Sequence, residues 1–256
     1  MRQFLPAQND VKIRRERGIS SKGIFITVEG VEGSGKTTQL GRLRAFLTRN
    51  GYSVVMTREP GGTPLAERIR SLLLDQPGSH RGRRASEQIR PWCEAALILA
   101  ARSQHVSEVI QPALRRGAVV VCDRFSDSTL AYQGYGRGLP LAALRAFNRH
   151  VTQGIVPDLT LLFDVPVPLG LARRRRQGGK VNRLDREGRR FHESVRRGFL
   201  KLAGSATSRI KVIDGRGDPD AVATRVEAVV RACLARRRVG RPSRLAGESA
   251  ARRNRV

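Results

Sequence analysis

The residues whose types and spacing point most directly to chemistry form a glycine-rich run near the start of the chain. The pattern G-x-x-x-x-G-K-[ST] is matched by Gly30, Val31, Glu32, Gly33, Ser34, Gly35, Lys36 and Thr37, and Thr38 follows directly. Glycines let backbone N–H groups turn inward around a phosphate, and the start of a following helix adds its positive dipole. The lysine supplies a mobile cation, and the threonine hydroxyl is a ligand for magnesium. The run therefore predicts a nucleotide phosphate-binding loop.

A second chemical signature follows an apolar run in the middle of the chain. Residues 118–122 are wholly apolar, which is typical of a strand in a buried parallel sheet. Asp123 and Arg124 come next. Because open α/β sheets bind ligands at the carboxyl ends of their strands, we expect Asp123 to be the second magnesium ligand and Arg124 an anion clamp. An Asp–Arg pair that only caps the strand is the structural alternative.

Strands and helices must alternate around these residues to position them. Short β-branched and aromatic runs predict five strands, at residues 23–28, 52–57, 118–122, 158–165 and, more weakly, 209–213. Helical patterns follow the glycine-rich run up to residue 50 and recur at 64–74, 91–116 and 218–237. Alternation of this kind indicates an α/β fold with a parallel sheet covered on both faces.

Length and composition restrict the class of protein. A chain of 256 residues that is 39% hydrophobic is long enough for one good-sized core. It contains no run of about 18 apolar residues and no apolar N-terminal stretch, so we expect no membrane span and no secretion signal, and a cytoplasmic protein. Cys93, Cys122 and Cys233 lack the spacing of metal ligands and are expected to be inert thiols.

The formal charge of +27 raises the question of nucleic-acid binding. Much of the excess lies at the ends: residues 1–22 lack apolar periodicity and residues 238–256 are rich in arginine, so both are expected to be disordered basic extensions. One domain, residues 23–237, lies between them. This distribution favours, at most, non-specific contact with nucleic acid. A third basic cluster, residues 173–190, lies inside the domain and needs a separate explanation.

Six blocks of the chain, in order, resemble the thymidylate kinase family. The blocks are FITVEGVEGSGKTTQL, TREPGGTPLAERIRSLLLD, LAARSQHVSEVIQPAL, VVVCDRFSDSTLAYQGYGRGL, VPDLTLLFDV and RRFHESVRRGFLKLA. The stretch at residues 123–139 is the most diagnostic, because a generic ATPase has no need of it. The resemblance implies a P-loop kinase three-layer sandwich with a five-stranded parallel sheet and a helical lid at about residues 170–190. It also implies ATP bound at residues 30–38, Mg²⁺ held by Thr37 and Asp123, dTMP as the second substrate, and a homodimer.

The resemblance also implies where the acceptor's phosphate and sugar lie. Glu32 faces the sugar and phosphate, while Arg58 and Arg124 clamp the phosphate. A dianionic acceptor needs fixed guanidinium groups, so the chemistry of these residue types agrees with the assignment. The alternative for Arg58 is an ordinary surface residue.

For the base, the resemblance implies a hydrogen bond from Arg102 to a carbonyl, with Ser128, Tyr132 and Gln133 shaping the sugar and base pocket. Gln133 carries both a donor and an acceptor for a pyrimidine edge. Tyr132 could instead serve only core packing. Ile98 stands where the family leads one to expect a phenylalanine stacked on thymine, which affects base preference more than reaction type.

The internal basic cluster acquires a role from the same resemblance. Some family members carry an arginine inside the phosphate loop, whereas others have glycine there and place arginines in the lid. Here the loop has Gly33, so the resemblance assigns the cluster Arg173–Arg176 and Arg183 to the lid, with some members acting on the transferred phosphoryl group and others not. Where the lid pattern usually reads D-R-x-E, this chain has Asn182-Arg183-Leu184-Asp185. The predicted catalytic residues are Lys36, Asp123, Arg124, Arg173 and Arg183.

Two other functions stay open on sequence grounds. One is a related kinase that acts on another nucleotide or on a deoxynucleoside. The other is a P-loop ATPase that binds nucleic acid, since the phosphate loop alone does not distinguish these classes. The resemblance favours ATP-dependent phosphorylation of dTMP to dTDP by direct in-line transfer.

Overall fold

The computed structural model describes residues 23–74, 88–176, 178 and 182–237. The two expected disordered extensions therefore lie outside the described residues, as does part of the expected lid. Five parallel strands form one sheet in the order β2-β3-β1-β4-β5. They are β1 (Ile24–Glu29), β2 (Val54–Arg58), β3 (Val119–Asp123), β4 (Leu159–Asp164) and β5 (Ile210–Asp214). The expected five-stranded parallel sheet is confirmed, and Asp123 closes strand β3 instead of following it.

Helices cover both faces of this sheet. They are α1 (Lys36–Arg49), α2 (Pro64–Leu74), α3 (Pro91–His105), α4 (Gln111–Arg115), α5 (Ser126–Thr129), α6 (Leu141–Val151), α7 (Val167–Arg176), α8 (Arg189–Ser205) and α9 (Pro219–Arg237). Two π-helical segments lengthen this set: Val106–Ile110 joins α3 to α4, and Leu130–Gly136 continues α5. The helix expected at 91–116 is therefore a continuous run with a π segment inside it. Within the described ranges, no helix is long and apolar enough to span a bilayer.

Alternation along β1 divides the core between the two faces. Ile24, Ile26 and Val28 are buried in a cluster with side chains of α1 and α9, whereas Phe25 is buried in a second cluster beneath the α3–α4 run. Successive side chains of a strand point to opposite faces, so a wholly apolar strand needs cover on both. The three-layer architecture follows from this requirement.

The sheet brings the two chemical signatures together. In the pairing of β1 with β3, Val28 lies opposite Asp123, so the phosphate-binding loop that follows β1 begins beside that carboxylate. The same edge receives α7, which starts just after β4. Both features lie at the carboxyl ends of the strands, where open α/β sheets bind ligands.

Helix α7 approaches the phosphate-binding loop at a glycine. A Cβ atom on Gly170 would lie 2.5 Å from the carbonyl oxygen of Glu32, and a Cβ atom on Gly33 would overlap the carbonyl of Gly170. Gly33 also has a φ of 68°, a backbone conformation that residues with a side chain rarely adopt. The backbone of α7 is therefore in direct contact with the backbone of the phosphate-binding loop. This close approach is possible because neither Gly170 nor Gly33 has a side chain.

Replacing Gly170 by alanine tests this contact, with Gly41→Ala as the matched control. Gly41 is exposed within α1 and a Cβ atom there meets nothing within 4 Å. The control should raise the free energy of unfolding by about 0.5–1 kcal/mol through helix propensity. Gly170→Ala should instead lower it by about 1–3 kcal/mol, because the added methyl group overlaps backbone. Urea unfolding of both variants measures the difference, and a gain at Gly170 equal to that at Gly41 would contradict the close contact.

Candidate active site

The phosphate-binding loop is wound around its own lysine. Gly30, Gly33 and Gly35 all have positive φ values, of 140°, 68° and 95°. The ammonium group of Lys36 donates to the carbonyl oxygens of Gly30, at 2.9 Å, and Val31, at 2.8 Å. With only 7% of the residue exposed, this ammonium lies inside the loop at the start of α1. The arrangement is suited to transfer of the ammonium from carbonyl groups to a bound phosphate.

The surroundings of Lys36 disfavour its charged form. Burial and the neighbouring guanidinium of Arg124 lower the pKa of Lys36 to about 8, although Asp123, Glu32 and Glu29 oppose them. A polyphosphate bound in the loop would add negative charge and favour the ammonium form.

Oxygen atoms for a divalent cation lie beside this lysine. Asp123 Oδ1 is buried and no hydrogen bond reaches it from the described residues, while Thr37 is exposed at the start of α1. Mg²⁺ prefers oxygen ligands and is commonly held by one or two protein groups together with substrate phosphates. The described ranges contain no group of three or more His, Cys, Asp or Glu side chains placed to hold a metal without such help. The unpartnered carboxylate oxygen fits a nucleotide-bound cation.

Arg124 connects the end of β3 to the phosphate-binding loop. Its φ of 69° lies in the left-handed region, which is uncommon for residues other than glycine. The guanidinium donates to Gly30 O at 3.0 Å, to Ser128 Oγ at 3.3 Å and to Glu32 Oε1 at 3.1 Å. Burial opposes its charge, but the groups around it, including Tyr132 and Glu32, raise the pKa of Arg124 above its usual value. It is a permanent, fixed cation.

Glu32 is the anionic centre of the same cluster. Its Oε1 accepts from Tyr132 Oη at 2.6 Å as well as from Arg124, and His192 Nδ1 lies 3.2 Å from Oε2. The His192 ring is close enough to this carboxylate for an ion pair, but it is not aligned for a hydrogen bond. Burial opposes ionisation, yet His192, Arg124 and Lys36 lower the pKa of Glu32 to about 2. The carboxylate is held ionised between the phosphate-binding loop and the pocket described next.

Almost all the residues that sequence reasoning assigned to the acceptor line one small pocket. Its walls include Glu32, Ile98, Arg102, Arg124, Ser128, Tyr132 and Gln133, together with Glu59, Pro60, Thr129 and Leu184. The space between these walls is about 60 Å³, enough for only a few water molecules. A nucleotide is larger than this space, so its binding requires the walls to move apart, and Leu184 is the wall residue that lies in the expected lid segment. The peptide bond between Glu59 and Pro60 is cis.

Arg102 forms a fixed part of this pocket. Only 1% of the residue is exposed, and it donates to Glu59 Oε2 at 2.7 Å, Thr129 Oγ1 at 2.7 Å and Asn148 Oδ1 at 2.5 Å. Ile98 lies one helical turn earlier on α3 and faces the same pocket. A buried guanidinium held from three sides can present a remaining N–H group to a ligand without losing further side-chain freedom.

Arg58, by contrast, stands outside this pocket. Its side chain is 55% exposed and pairs with Glu67 at 3.1 Å, although it shares a neighbouring cleft with Asp123. Arg70 is more enclosed: it donates to Pro60 O at 2.8 Å, and burial and then Arg58 lower its pKa, with Asp123 and Arg124 also acting on it. Sequence reasoning missed Arg70, although it lies in the same block, TREPGGTPLAERIRSLLLD, that drew attention to Arg58.

The arginines of the expected lid, Arg173–Arg176 and Arg183, lie in different environments. Arg173 donates to Gly215 O at 2.9 Å, and both Arg173 and Arg176 line the nucleotide cleft. Arg174 is instead bound to Asp185, with Nη2 2.9 Å from Oδ2. Arg183 contacts Leu73 O, at 3.0 Å, and Glu94, both outside the phosphate-binding loop. Its catalytic role stays a prediction, and Arg173 is the better-placed cation in this conformation.

The nucleotide cleft lies on the other side of the phosphate-binding loop from the acceptor pocket. Its volume is about 420 Å³, and it is lined by Gly33, Ser34, Gly35, Thr38, Gln39, Arg173, Arg176, Gly215, Gly217, Pro219 and Val222. Glycines leave its floor open, and two arginines stand at its wall. The loop thus separates two sites that could hold a phosphate donor and a phosphate acceptor.

Sequence reasoning missed several buried ionisable groups of this region, and Glu29, Glu94 and His192 are three of them. Glu29 accepts from Phe125 N at 2.8 Å and Ser128 Oγ at 2.5 Å, and burial followed by the charge of Asp127 raises its pKa to about 7. Glu94 and His192 are the others, each 1% exposed. Glu29 ends a buried strand, as Asp123 does, and that position was an available signal. The partners of Glu94 and His192 are remote in sequence, so no local pattern marks them.

Comparison with known proteins supports the geometry. The family model described as thymidylate kinase matches residues 28–226. Relatives named thymidylate kinase from Geobacter sulfurreducens and from Thermomicrobium roseum are each 49% identical, over 213 and 214 residues. The first alignment covers 81% of this chain and 96% of the relative, and the second covers 84% and 97%. The crystal structure of thymidylate kinase from Ehrlichia chaffeensis is 34% identical, with a TM-score of 0.62, and the match covers 82% of this chain and 98% of that one.

The expected resemblance is thereby confirmed. A family model over most of the chain and relatives at this identity and coverage agree with a phosphate-binding loop set between two clefts. The chain belongs to the thymidylate kinase family.

Proposed function

We propose that this protein transfers the γ-phosphoryl group of ATP to dTMP, giving dTDP and ADP. The observation that carries the proposal is the acceptor pocket, in which Arg102, Arg124 and Gln133 converge beside the phosphate-binding loop. The relatives' names support the same reaction. Transfer is direct and in line, because positioning and electrostatic stabilisation account for most phosphoryl-transfer catalysis. The catalytic domain spans residues 23–237, with the lid at about 170–190.

On the donor side, the loop from Gly30 to Thr38 binds the ATP phosphates through backbone N–H groups, and Lys36 leaves its carbonyl partners for them. Thr37 and Asp123 would hold Mg²⁺, which neutralises charge on the phosphates when bound. Asp123 Oδ1 supports this assignment because it is buried without a hydrogen-bond partner among the described residues. Arg173 supplies a cation from the opposite wall of the nucleotide cleft.

On the acceptor side, Arg124 clamps the dTMP phosphate, with Arg58 at the adjoining cleft and Arg70 bound to the carbonyl oxygen of Pro60, a residue of the pocket wall. Glu32 accepts a hydrogen bond from the sugar, and Tyr132 and Ser128 hold Glu32 and Arg124 in place. Arg102 donates to a base carbonyl and Gln133 reads the pyrimidine edge.

Two alternatives were open on sequence grounds. A P-loop ATPase that binds nucleic acid is disfavoured, because the second site is a small pocket whose arginines are paired with carboxylates, not a long basic groove. A kinase for another nucleotide shares the same machinery. Ile98 lines the pocket but has no aromatic face on which a thymine could stack, so a different acceptor base should also be tested.

The proposal extends to assembly and location. An exposed apolar pair, Trp92 and Phe147, packs edge to face at 6.4 Å across α3 and α6, and such a pair is suited to a subunit interface. We therefore assign a homodimer. The three cysteines are all free, and Cys122 is buried, which agrees with a reducing cytoplasm. Nucleic-acid contact, if present, is non-specific.

An acceptor screen tests the proposed reaction. With ATP and Mg²⁺, ADP release should be fastest with dTMP, slower with dUMP by about 10- to 200-fold for the lost methyl contact, and slowest with CMP and GMP. Lys36→Ala should lose more than nine-tenths of the activity while remaining folded, which a thermal melt recorded beside the assay checks. Preference for another acceptor over dTMP would replace the assignment with the related kinase.

Proton uptake tests the coupling of Lys36 to ATP. At pH 8 the free protein holds this amine about half ionised, since its pKa is about 8. Bound polyphosphate favours the ammonium, so binding should take up about half a proton, falling to about a tenth at pH 7. Titration calorimetry in two buffers of different ionisation enthalpy measures the uptake. Lys36→Arg, whose guanidinium does not titrate here, is the control, and equal uptake in that variant would contradict the coupling.

Replacing the lid arginines one at a time tests whether they contribute differently to catalysis. Arg173→Gln should reduce kcat at least tenfold, about 1.4 kcal/mol, with little change in the KM for dTMP, because its charge acts on the transferred group. Arg175 is exposed, adjacent and not part of the cleft lining, so Arg175→Gln is the matched control and should stay within twofold. Equal losses in both variants would mean that only the summed charge of the helix matters.

A further inference from the structure

Glu94 is a buried carboxylate to which the reaction described above gives no part. It lies in the first turn of α3 with its side chain 1% exposed. Three side chains donate to it: Gln133 Nε2 at 2.7 Å, Arg137 through Nε at 3.3 Å and Nη2 at 3.2 Å, and Arg183 through Nη2. Burial opposes its charge, but the hydrogen bond from Gln133 and the two arginines hold the pKa of Glu94 below its usual value. The group is therefore ionised.

An ionised carboxylate can only accept hydrogen bonds. Gln133 must therefore turn its NH₂ group toward Glu94, and its carbonyl oxygen must point the other way. Gln133 lines the acceptor pocket together with Ile98 and Arg102. Among the described residues, none donates a hydrogen bond to Gln133 Oε1. The two faces of the amide are thus distinguished by chemistry: the donor face is taken by Glu94, and the acceptor face is left for a ligand.

The orientation of this amide decides which pyrimidine fits. Thymine and uracil carry an N3–H donor next to the O4 acceptor, whereas cytosine presents an N3 acceptor next to an amino donor. An oxygen from Gln133 beside an N–H group from Arg102 complements the first pattern and opposes the second. A reversed Gln133 amide would relax this discrimination.

We propose that Glu94 is a positioning residue for base specificity: it fixes the amide of Gln133 so that the pocket accepts a base with an N3–H donor and rejects cytosine. The proposal rests on the assigned reaction with a pyrimidine monophosphate. Arg137 and Arg183 serve it by keeping Glu94 charged, and Arg183 brings the lid segment into the same cluster.

The test compares kcat/KM for dTMP and dCMP in the full-length protein. Wild type should prefer dTMP by at least about a hundredfold, since a site built around hydrogen bonds rejects a mismatched partner strongly. Glu94→Gln keeps the volume but can present either face of its own amide, so the dTMP-to-dCMP ratio should fall at least tenfold. Glu187→Gln is the matched control: it removes another carboxylate from Arg137, 2.7 Å away, without touching Gln133. Its ratio should stay within twofold of wild type.

A double-variant cycle shows whether the effect passes through Gln133. In a Gln133→Leu background the amide is gone, so adding Glu94→Gln should leave the ratio unchanged. A further drop there, or a ratio within twofold of wild type in folded Glu94→Gln, overturns the inference. If Glu94→Gln does not fold, the Glu94→Gln/Arg183→Gln pair removes both charges together, and the ratio cancels any rate loss common to the two substrates. Wild type that ignores both nucleotides would refute the assigned reaction instead.

Discussion

The contact of Arg124 with the phosphate-binding loop is the interaction on which the rest of the site depends. The residue follows β3 directly, and its left-handed backbone turns the side chain back to Gly30 and Glu32, which follow β1. Two adjacent strands are thereby joined at their carboxyl ends by a charge that does not titrate. The phosphate-binding loop and the small pocket beside it meet at this guanidinium.

Fixing such charges inside a protein is costly unless each has a partner. The acceptor pocket meets this condition by pairing. Arg102 is held by Glu59, Arg124 by Glu32, and Glu94 by two arginines. Lys36 is the contrasting case, because its partners are carbonyl oxygens and its pKa is lowered to about 8. The structure thus has paired, permanent cations in the pocket and a cation with a lowered pKa in the phosphate-binding loop, which suits the proposed transfer of a charged group from one site to the other.

Local patterns predicted the sheet, the phosphate-binding loop and the residues of the acceptor pocket, because strand alternation, glycine spacing and ordered family blocks are all visible along the chain. Strand ends differed by a residue or two, as Asp123 shows. What could not be predicted were partnerships between distant segments. Glu94 meets Arg183 across 89 residues of chain, and Glu32 meets Tyr132 across 100. The separation of Arg173 from Arg174 had no sequence signal either, since neighbouring arginines on a helix look alike until Gly215 and Asp185 take their places.

Two features that looked independent in the sequence are one constraint in the fold. Gly33 leaves the loop without an arginine at that position, and a basic helix follows β4. The structure relates them through Gly170, whose carbonyl occupies the space that any side chain at position 33 would need. Because α7 comes this close, a residue one turn further along it, Arg173, reaches the wall of the nucleotide cleft. An arginine at position 33 would clash with the carbonyl of Gly170 and displace α7, whereas glycine leaves room for this close approach. The missing charge and its replacement on α7 therefore follow from the same backbone contact.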